Sequence, residues 1–450
     1  MSGALEPTEQ LVLPGKEGLT RLSVKGFKAI AAEQSIDIKP LTILAGANSS
    51  GKSSMLQPFL LLKQTLEASF DPDPLLLNGA NVKFASVDEF LSRSHESEEP
   101  RGFELGLQFE RQSVLCVRFV SVMKGRLTLD EMRFIANGKE TRFRPGLSRD
   151  EALAMLPDDA AQLYGKVLGE ERGKLDVRVV RERCFLSLMI SGKGDDAGEK
   201  FGFVFSPASF FEPYIRGLIH VPALRGNPAR SYQATGTGPT YPGTFETYVA
   251  SIIEAWKTRR DSGHTKGLSR DLKALELTWK AEAERVDDTQ VRLRVGRLRR
   301  AVRGGASDLV NIADVGFGVS QVLPVVVALQ AALPRQLVYI EQPEIHLHPR
   351  AQYYLSGLLA NAANRGVRVI VETHSGLLLL GIQALVAEDK LASSDVKLHW
   401  FQRDDQGVTS VTSAELDRTG SFGDWPADFG EVDLEFQKRY LDAVQTKLFR

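Results

Sequence analysis

The residues best suited to chemistry lie in Gly46-Ala47-Asn48-Ser49-Ser50-Gly51-Lys52-Ser53, which fits the pattern GxxxxGK[ST]. Glycines in such a loop let backbone N–H groups wrap phosphates, and a helix beginning at the loop adds its partial positive charge. Lys52 is expected to neutralise the β- and γ-phosphates and Ser53 to coordinate Mg²⁺, with Gly46, Asn48, Ser49, Ser50, Gly51 and Ser54 completing the cradle.

Three further stretches carry groups that a nucleotide site needs. Glu341 ends the apolar run LVYIE, where an acidic residue would hold Mg²⁺ together with Ser53. The residues that follow, Gln342 to His348, also set two histidines beside two carboxylates, a combination that suits zinc or iron; the phosphate loop favours the nucleotide reading. His374 ends the next apolar run, beside a γ-phosphate on the first reading and in the core on the second. Gly316, Gly318 and Ser320 precede or open an apolar helical stretch, which offers N–H groups to an anion but equally describes an ordinary helix start.

These groups need strands and helices to hold them. The patterns LTRLSVKGF, SIDI and LTILAG predict three strands, the third running into the phosphate loop, and SSMLQPFLLLKQTLEASF predicts the helix after it. From Gly102 to Met189 the pattern is mostly period two, with a helix expected over 149–167. Residues 244–260 predict a helix, and WKAEAERV and VRLRVGRL a hairpin with an acidic turn. LVYIE, VRVIVETH and VKLHWFQ alternate with helical stretches, the pattern of parallel strands. The expected class is α/β, divided into residues 1–100, an insert of strands and helices over 101–304, and residues 305–450.

Composition narrows the partners. Hydrophobic residues make up 43% and charged residues 25%, close to the globular average, which excludes a disordered or collagen-like chain. Lys plus Arg number 56 against 57 Asp plus Glu, so global charge cannot drive binding to nucleic acid or an acidic membrane, and a local patch must. Cys116 and Cys184 lie in runs read as strands and outside any metal spacing, as expected of buried thiols in a reducing cytoplasm. No apolar run is long enough for a membrane span, so no membrane partner is expected and the location expected is cytoplasmic.

Taken in order, the four motifs resemble the P-loop, ABC-type ATPase heads of the RecF, SMC and OLD class, and the related ATPases of prokaryotic anti-phage defence systems. LTILAGANSSGKSS looks like their Walker A opening, IEQPEIHLHP like Walker B continuing into the D-loop, and ETHS like their switch histidine. The resemblance implies a mixed-sheet head with an insert between Walker A and Walker B, binding ATP and Mg²⁺. It also implies a homodimer that clamps each nucleotide between one copy's phosphate loop and the other's signature motif, here Gly316 to Gln321. Gln342 stands where such heads carry the glutamate that polarises the attacking water. A glutamine orients water but cannot take its proton, so turnover is expected to be slow unless Glu344 substitutes; His374 would contact the γ-phosphate.

Arg292, Arg294, Arg297, Arg299, Arg300 and Arg303 form a basic run without an acid, suited either to duplex DNA phosphates or to a solvated strand edge. Arg225 is a further group expected to reach a phosphate. Two functions follow from the resemblance: an ATPase that couples nucleotide state to DNA sensing or clamping in defence or repair, and a slowly hydrolysing, ATP-gated scaffold for a separate nuclease or toxin. The stretch after His374 is expected to be too short for a nuclease domain of the OLD type.

Overall fold

The computed structural model describes residue 13 and residues 18–92, 101–110, 113–122, 125–155, 176–193, 200–300 and 308–423. Three strands open the chain, β1 (Leu19–Lys25), β2 (Gln34–Asp37) and β3 (Leu41–Gly46), followed by helix α1 (Lys52–Glu67), as the sequence predicts. Next come β4 (Gly102–Phe109), β5 (Ser113–Val122), β6 (Arg126–Ala136) and β7 (Lys139–Phe143), then the short helix α2 (Arg149–Leu153), started by a reciprocal cap between Ser148 and Glu151. β4 pairs antiparallel with β1, so all these strands except β3 form one sheet in the order β2-β1-β4-β5-β6-β7. Period two governs it: Leu105, Leu107 and Phe109 are buried while Glu104 and Gln108 lie nearer solvent.

Strands β8 (Asp176–Glu182), β9 (Phe185–Lys193) and β10 (Lys200–Phe205) make a second antiparallel sheet. Cys184 sits in the turn between β8 and β9, not in a strand as expected, and Cys116 lies on β5. Both thiols are free, and burial pushes Cys116 up to about 11.

The rest of the chain alternates strand and helix. α3 (Glu212–Gly217) leads to β11 (Ile219–Val221) and β12 (Tyr232–Gln233); α4 (Val249–Thr258) and α5 (Ser262–Ala274) precede the hairpin of β13 (Ala281–Arg285) and β14 (Gln290–Gly296), beside which lies β15 (Leu309–Asn311). Then follow α6 (Phe317–Ala331), β16 (Leu337–Glu341), α7 (Pro349–Asn364), β17 (Arg368–Glu372), α8 (Gly376–Ala387), β18 (Val396–Arg403) and β19 (Thr409–Ala414). The central sheet runs β11-β16-β17-β3-β18-β19, parallel throughout except for the last pair. Helical crossovers allow this, since parallel neighbours cannot be joined by a tight turn.

Both faces of the central sheet are covered. Leu41, Ile43, Ala45, Val338, Ile340, Val369 and Val371 pack with helices α4 to α8 on one face. Leu44, Leu337, Tyr339 and Ile370 pack on the other with α1 and the antiparallel sheets. Because side chains alternate along a strand, Glu341 and Glu372 extend the second series to the strand ends, directly opposite each other in register. Both therefore end on the face that α1 covers. The divisions at residues 100 and 304 do not separate sheets, since β4 pairs with β1 and β11 with β16. The remainder of the helix expected over 149–167, Arg303 and the C-terminal tail beyond residue 423 lie outside the described residues.

Candidate functional site

β3 delivers the phosphate loop at the C-terminal edge of the parallel strands, where open α/β sheets bind ligands. Two glycines are required there by close approach. A Cβ on Gly46, at φ 143°, would stand 2.3 Å from the Phe401 carbonyl, and one on Gly51, at φ 104°, 2.5 Å from Thr409 Oγ1. The Thr409 hydroxyl donates to the Ser50 carbonyl (2.8 Å), strapping the loop to β19. Lys52 Nζ donates to the carbonyls of Gly46 (3.0 Å) and Ala47 (2.8 Å). Burial lowers its pKa, against the pull of the Glu372 and Glu344 carboxylates.

An open groove of about 1230 Å³ runs along the loop, lined by Asn48, Ser49, Ser50, Gly51, Lys52, Ser53 and Ser54. Gln342, Glu372 and His374 face it from the strand ends, and Lys28, Gln57, Asp88, Glu89, Arg403 and Gln406 are among its other wall residues. The loop residues, Gln342 and His374 thus meet as the sequence predicts, with Gly46 beneath the Lys52 ammonium.

The carboxylates divide differently from the sequence expectation. Ser53 Oγ donates to Glu372 Oε2 (2.8 Å), and the Tyr339 hydroxyl donates to the other Glu372 oxygen. Glu341, on the same face, turns away from the loop toward β11: its Oε1 meets His220 Nε2 at 3.1 Å, and its Oε2 accepts from the Ala223 N–H at 3.2 Å. The reason is topological, because β17 lies between β16 and β3 and its last residue is the nearer to the loop. His220 stacks on Tyr339, with ring centroids 5.3 Å apart, and its Nδ1 lies 3.1 Å from Asn81 Oδ1. Burial and the neighbouring Glu341 push the Glu372 carboxyl up, while hydrogen bonds from Tyr339 and Ser53 oppose them. For Glu341, burial acts in the same raising sense, but the His220 contact and the Ala223 N–H hold it below its ordinary range.

Glu344 is buried and does not line the groove. Its Oε1 accepts from Thr373 Oγ1 (2.8 Å) and from the His374 N–H (2.7 Å), and burial raises its pKa. It therefore anchors the turn that presents His374, whose own pKa is lowered by burial and by the charge of Lys52. Gln342 holds a left-handed φ of 43° and donates its N–H to the Glu372 carbonyl (2.9 Å).

Gly316 precedes α6, with Gly318 and Ser320 in its first turn, and none of the three lines the groove. Ser320 Oγ donates back to the Phe317 carbonyl (2.9 Å), and Phe317 itself is 54% exposed. Arg225, expected to reach a phosphate, is instead buried and committed to carbonyls: Gln321 (3.0 Å), Glu341 (2.7 Å) and Gln342 (3.4 Å). It joins the first turn of α6 to the end of β16.

In the arginine run, Arg292 and Arg294 lie on one face of β14 and both meet Glu284, at 3.2 and 3.6 Å, and Arg299 meets Glu276 at 3.2 Å. Arg297 and Arg300 are exposed. His346 and His348 are exposed too, and His348 caps α7 by accepting from the Arg350 N–H (3.3 Å). Among the described residues no three or more His, Cys, Asp or Glu side chains converge as a metal cluster, and no helix is long and apolar enough to cross a membrane.

Residues 191–381 match the family model described as "AAA domain, putative AbiEii toxin, Type IV TA system", a span that includes β16, β17 and the start of α6 but not the phosphate loop. The chain is similar to an Smc head bound to the C-winged helix domain of ScpA (13% identity, TM-score 0.47, covering 89% of this chain and 98% of that one). It is also similar to the SMC head domain from Thermotoga maritima (12%, 0.41, 89% and 100%) and to an Smc head with an extended coiled coil bound to the C-terminal domain of ScpA, from Pyrococcus furiosus (11%, 0.44, 95% and 99%). No curated protein matches its sequence.

Sequence reasoning missed Glu372, Lys28 and Arg403 as groove residues. Glu372 carried a usable signal, since it ends an apolar strand exactly as Glu341 does; Lys28 and Arg403 carried none.

Proposed function

We propose that this head binds and hydrolyses ATP as a homodimer and couples nucleotide state to DNA sensing or clamping, as the ATPase subunit of a cytoplasmic anti-phage defence or DNA-repair complex. The observation that supports it most is the convergence of Lys52, Ser53, Glu372 and His374 on one groove while Gly316, Gly318 and Ser320 lie outside it. A site divided in this way is completed when a second copy brings its α6 N-terminus to the groove. The donor set fits ATP with Mg²⁺: backbone N–H groups and an ammonium for phosphates, a hydroxyl and a carboxylate for a hard cation. Ser53 and Glu372 would hold the cation, which would supply charge neutralisation for the phosphates. Lys52 then holds phosphate charge, His374 contacts the terminal phosphate and Gln342 orients water. The arginines assigned to DNA phosphates are Arg297 and Arg300, with Arg292, Arg294 and Arg299 already meeting carboxylates. The defence role draws support from the description of the matching family.

A second reading, an ATP-gated scaffold controlling a separate nuclease or toxin, is favoured by one observation. Gln342 is the side chain facing the groove, whereas Glu344 is buried, does not line the groove and has one oxygen held by Thr373 and the His374 N–H, so neither offers the groove a base for water. Phosphate release from ATP, with and without duplex DNA and with Lys52→Ala as blank, separates the two. DNA-stimulated release lost in the variant supports the ATPase; ATP binding without release above the blank supports the scaffold.

A further inference from the structure

The strands that end at the groove present two carboxylates, and only one of them reaches the phosphate-loop serine. Both Glu341 oxygens have partners on the β11 side, His220 Nε2 at 3.1 Å and the Ala223 N–H at 3.2 Å. Glu372 is carried by β17, the strand hydrogen-bonded to β3, and its Oε2 accepts from Ser53 Oγ at 2.8 Å. Adjacent oxygen ligands on an octahedral cation of about 2.1 Å bond length stand about 3.0 Å apart, close to the Ser53–Glu372 contact. Tyr339 holds the second Glu372 oxygen and also stacks on His220, so the same aromatic ring fixes both acids in their separate roles. Glu372 lines the groove and Glu341 does not.

We propose that Glu372, with Ser53, supplies the protein ligands of the divalent cation that accompanies the nucleotide, and that Glu341 is a positioning residue that locks His220 and the segment from Val221 to Ala223 against β16. The proposal rests on the nucleotide-site reading given above. It assigns the metal to the strand of the switch histidine instead of the strand that ends in Glu341, so the cation and His374 are positioned by the same element. A cation bound there would tie the end of β17, and through Glu372 the turn at His374, to the phosphate loop.

The test is binding of a fluorescent ATP analogue to the full chain, with Mg²⁺ and with EDTA. In the wild type Mg²⁺ tightens binding. Glu372→Gln is expected to lose that tightening by at least about tenfold while keeping metal-free binding, and Glu341→Gln to keep the tightening. Glu372→Asp, which retains the charge, should recover part of it, and serves if the Gln variant does not fold. Retention of the Mg²⁺ effect in Glu372→Gln, or its loss in Glu341→Gln, overturns the proposal. So does wild-type binding that is equal with Mg²⁺ and EDTA. Absence of any nucleotide binding in the wild type defeats the nucleotide site itself, a separate result.

Discussion

The phosphate-loop end of the head and the start of α6 are built in opposite ways. In the groove Lys52 is held by the carbonyls of its own loop, Ser53 and Glu372 meet across the chain, and the His374 backbone is held by Glu344. At the start of α6 a Cβ on Gly316 would meet nothing within 4 Å, Phe317 is 54% exposed, and the Ser320 hydroxyl bonds only one turn back. One end is arranged in advance for phosphate; the other presents a helix N-terminus outward. On the proposed dimer reading, the contrast would mean that a single copy carries both halves of a site without being able to close them on each other. Arg225 is the rigid link between them.

The largest effect expected breaks the groove half alone. Lys52→Ala should weaken ATP binding by two orders of magnitude or more, on the order of 3 kcal/mol, because it removes the ammonium carried by the phosphate loop itself. Calorimetric titration with ATP would show it, and near-wild-type affinity would contradict it. The link comes next. Arg225→Met strands three buried carbonyls and removes the charge beside Glu344, which should cost about 3 kcal/mol in urea unfolding. An unchanged midpoint would mean that α6 and β16 are not joined through this side chain.

The third sharpens the comparison through pH. His399 on β18, beside the phosphate-loop strand, donates from Nε2 to the Asp37 carbonyl (2.9 Å) and accepts at Nδ1 from the Ser413 hydroxyl (2.7 Å), and burial pushes its pKa down to about 4. The neutral ring is the folded form. Its contribution is therefore complete above the unfolded value of about 6.5 and is lost as pH falls through that value towards 4, up to about 3 kcal/mol. Thermal unfolding between pH 7.5 and 5 should show the loss, reduced in His399→Gln. Hydrogen exchange at pH 5 should loosen β3 and β18 before α6; the reverse order would break the comparison.

Much of this fold was legible because its strands are short apolar runs bounded by turn residues: LTILAG, LVYIE and RVIVE became β3, β16 and β17, parallel as the intervening helices require. β11 was not, since three residues, Ile219–Val221, carry no periodicity. Within the site, the phosphate loop and His374 could be read from spacing alone. The partner of Ser53 could not, because Glu341 and Glu372 end similar runs. What distinguishes them is which strand lies next to β3, a property of topology that spacing along the chain does not encode. The role of Arg225 was not legible for a related reason: nothing along the chain shows that α6 and β16 supply the carbonyls it bonds.

The most direct test of a site divided between two copies is the molar mass of the head in solution with ATP, for the wild type and for Ser320→Arg, which obstructs the outward α6 N-terminus and leaves the groove untouched. The account predicts an ATP-dependent dimer for the wild type and a monomer for Ser320→Arg that still binds ATP with wild-type affinity. A Ser320→Arg chain that dimerises with ATP as the wild type does would contradict it.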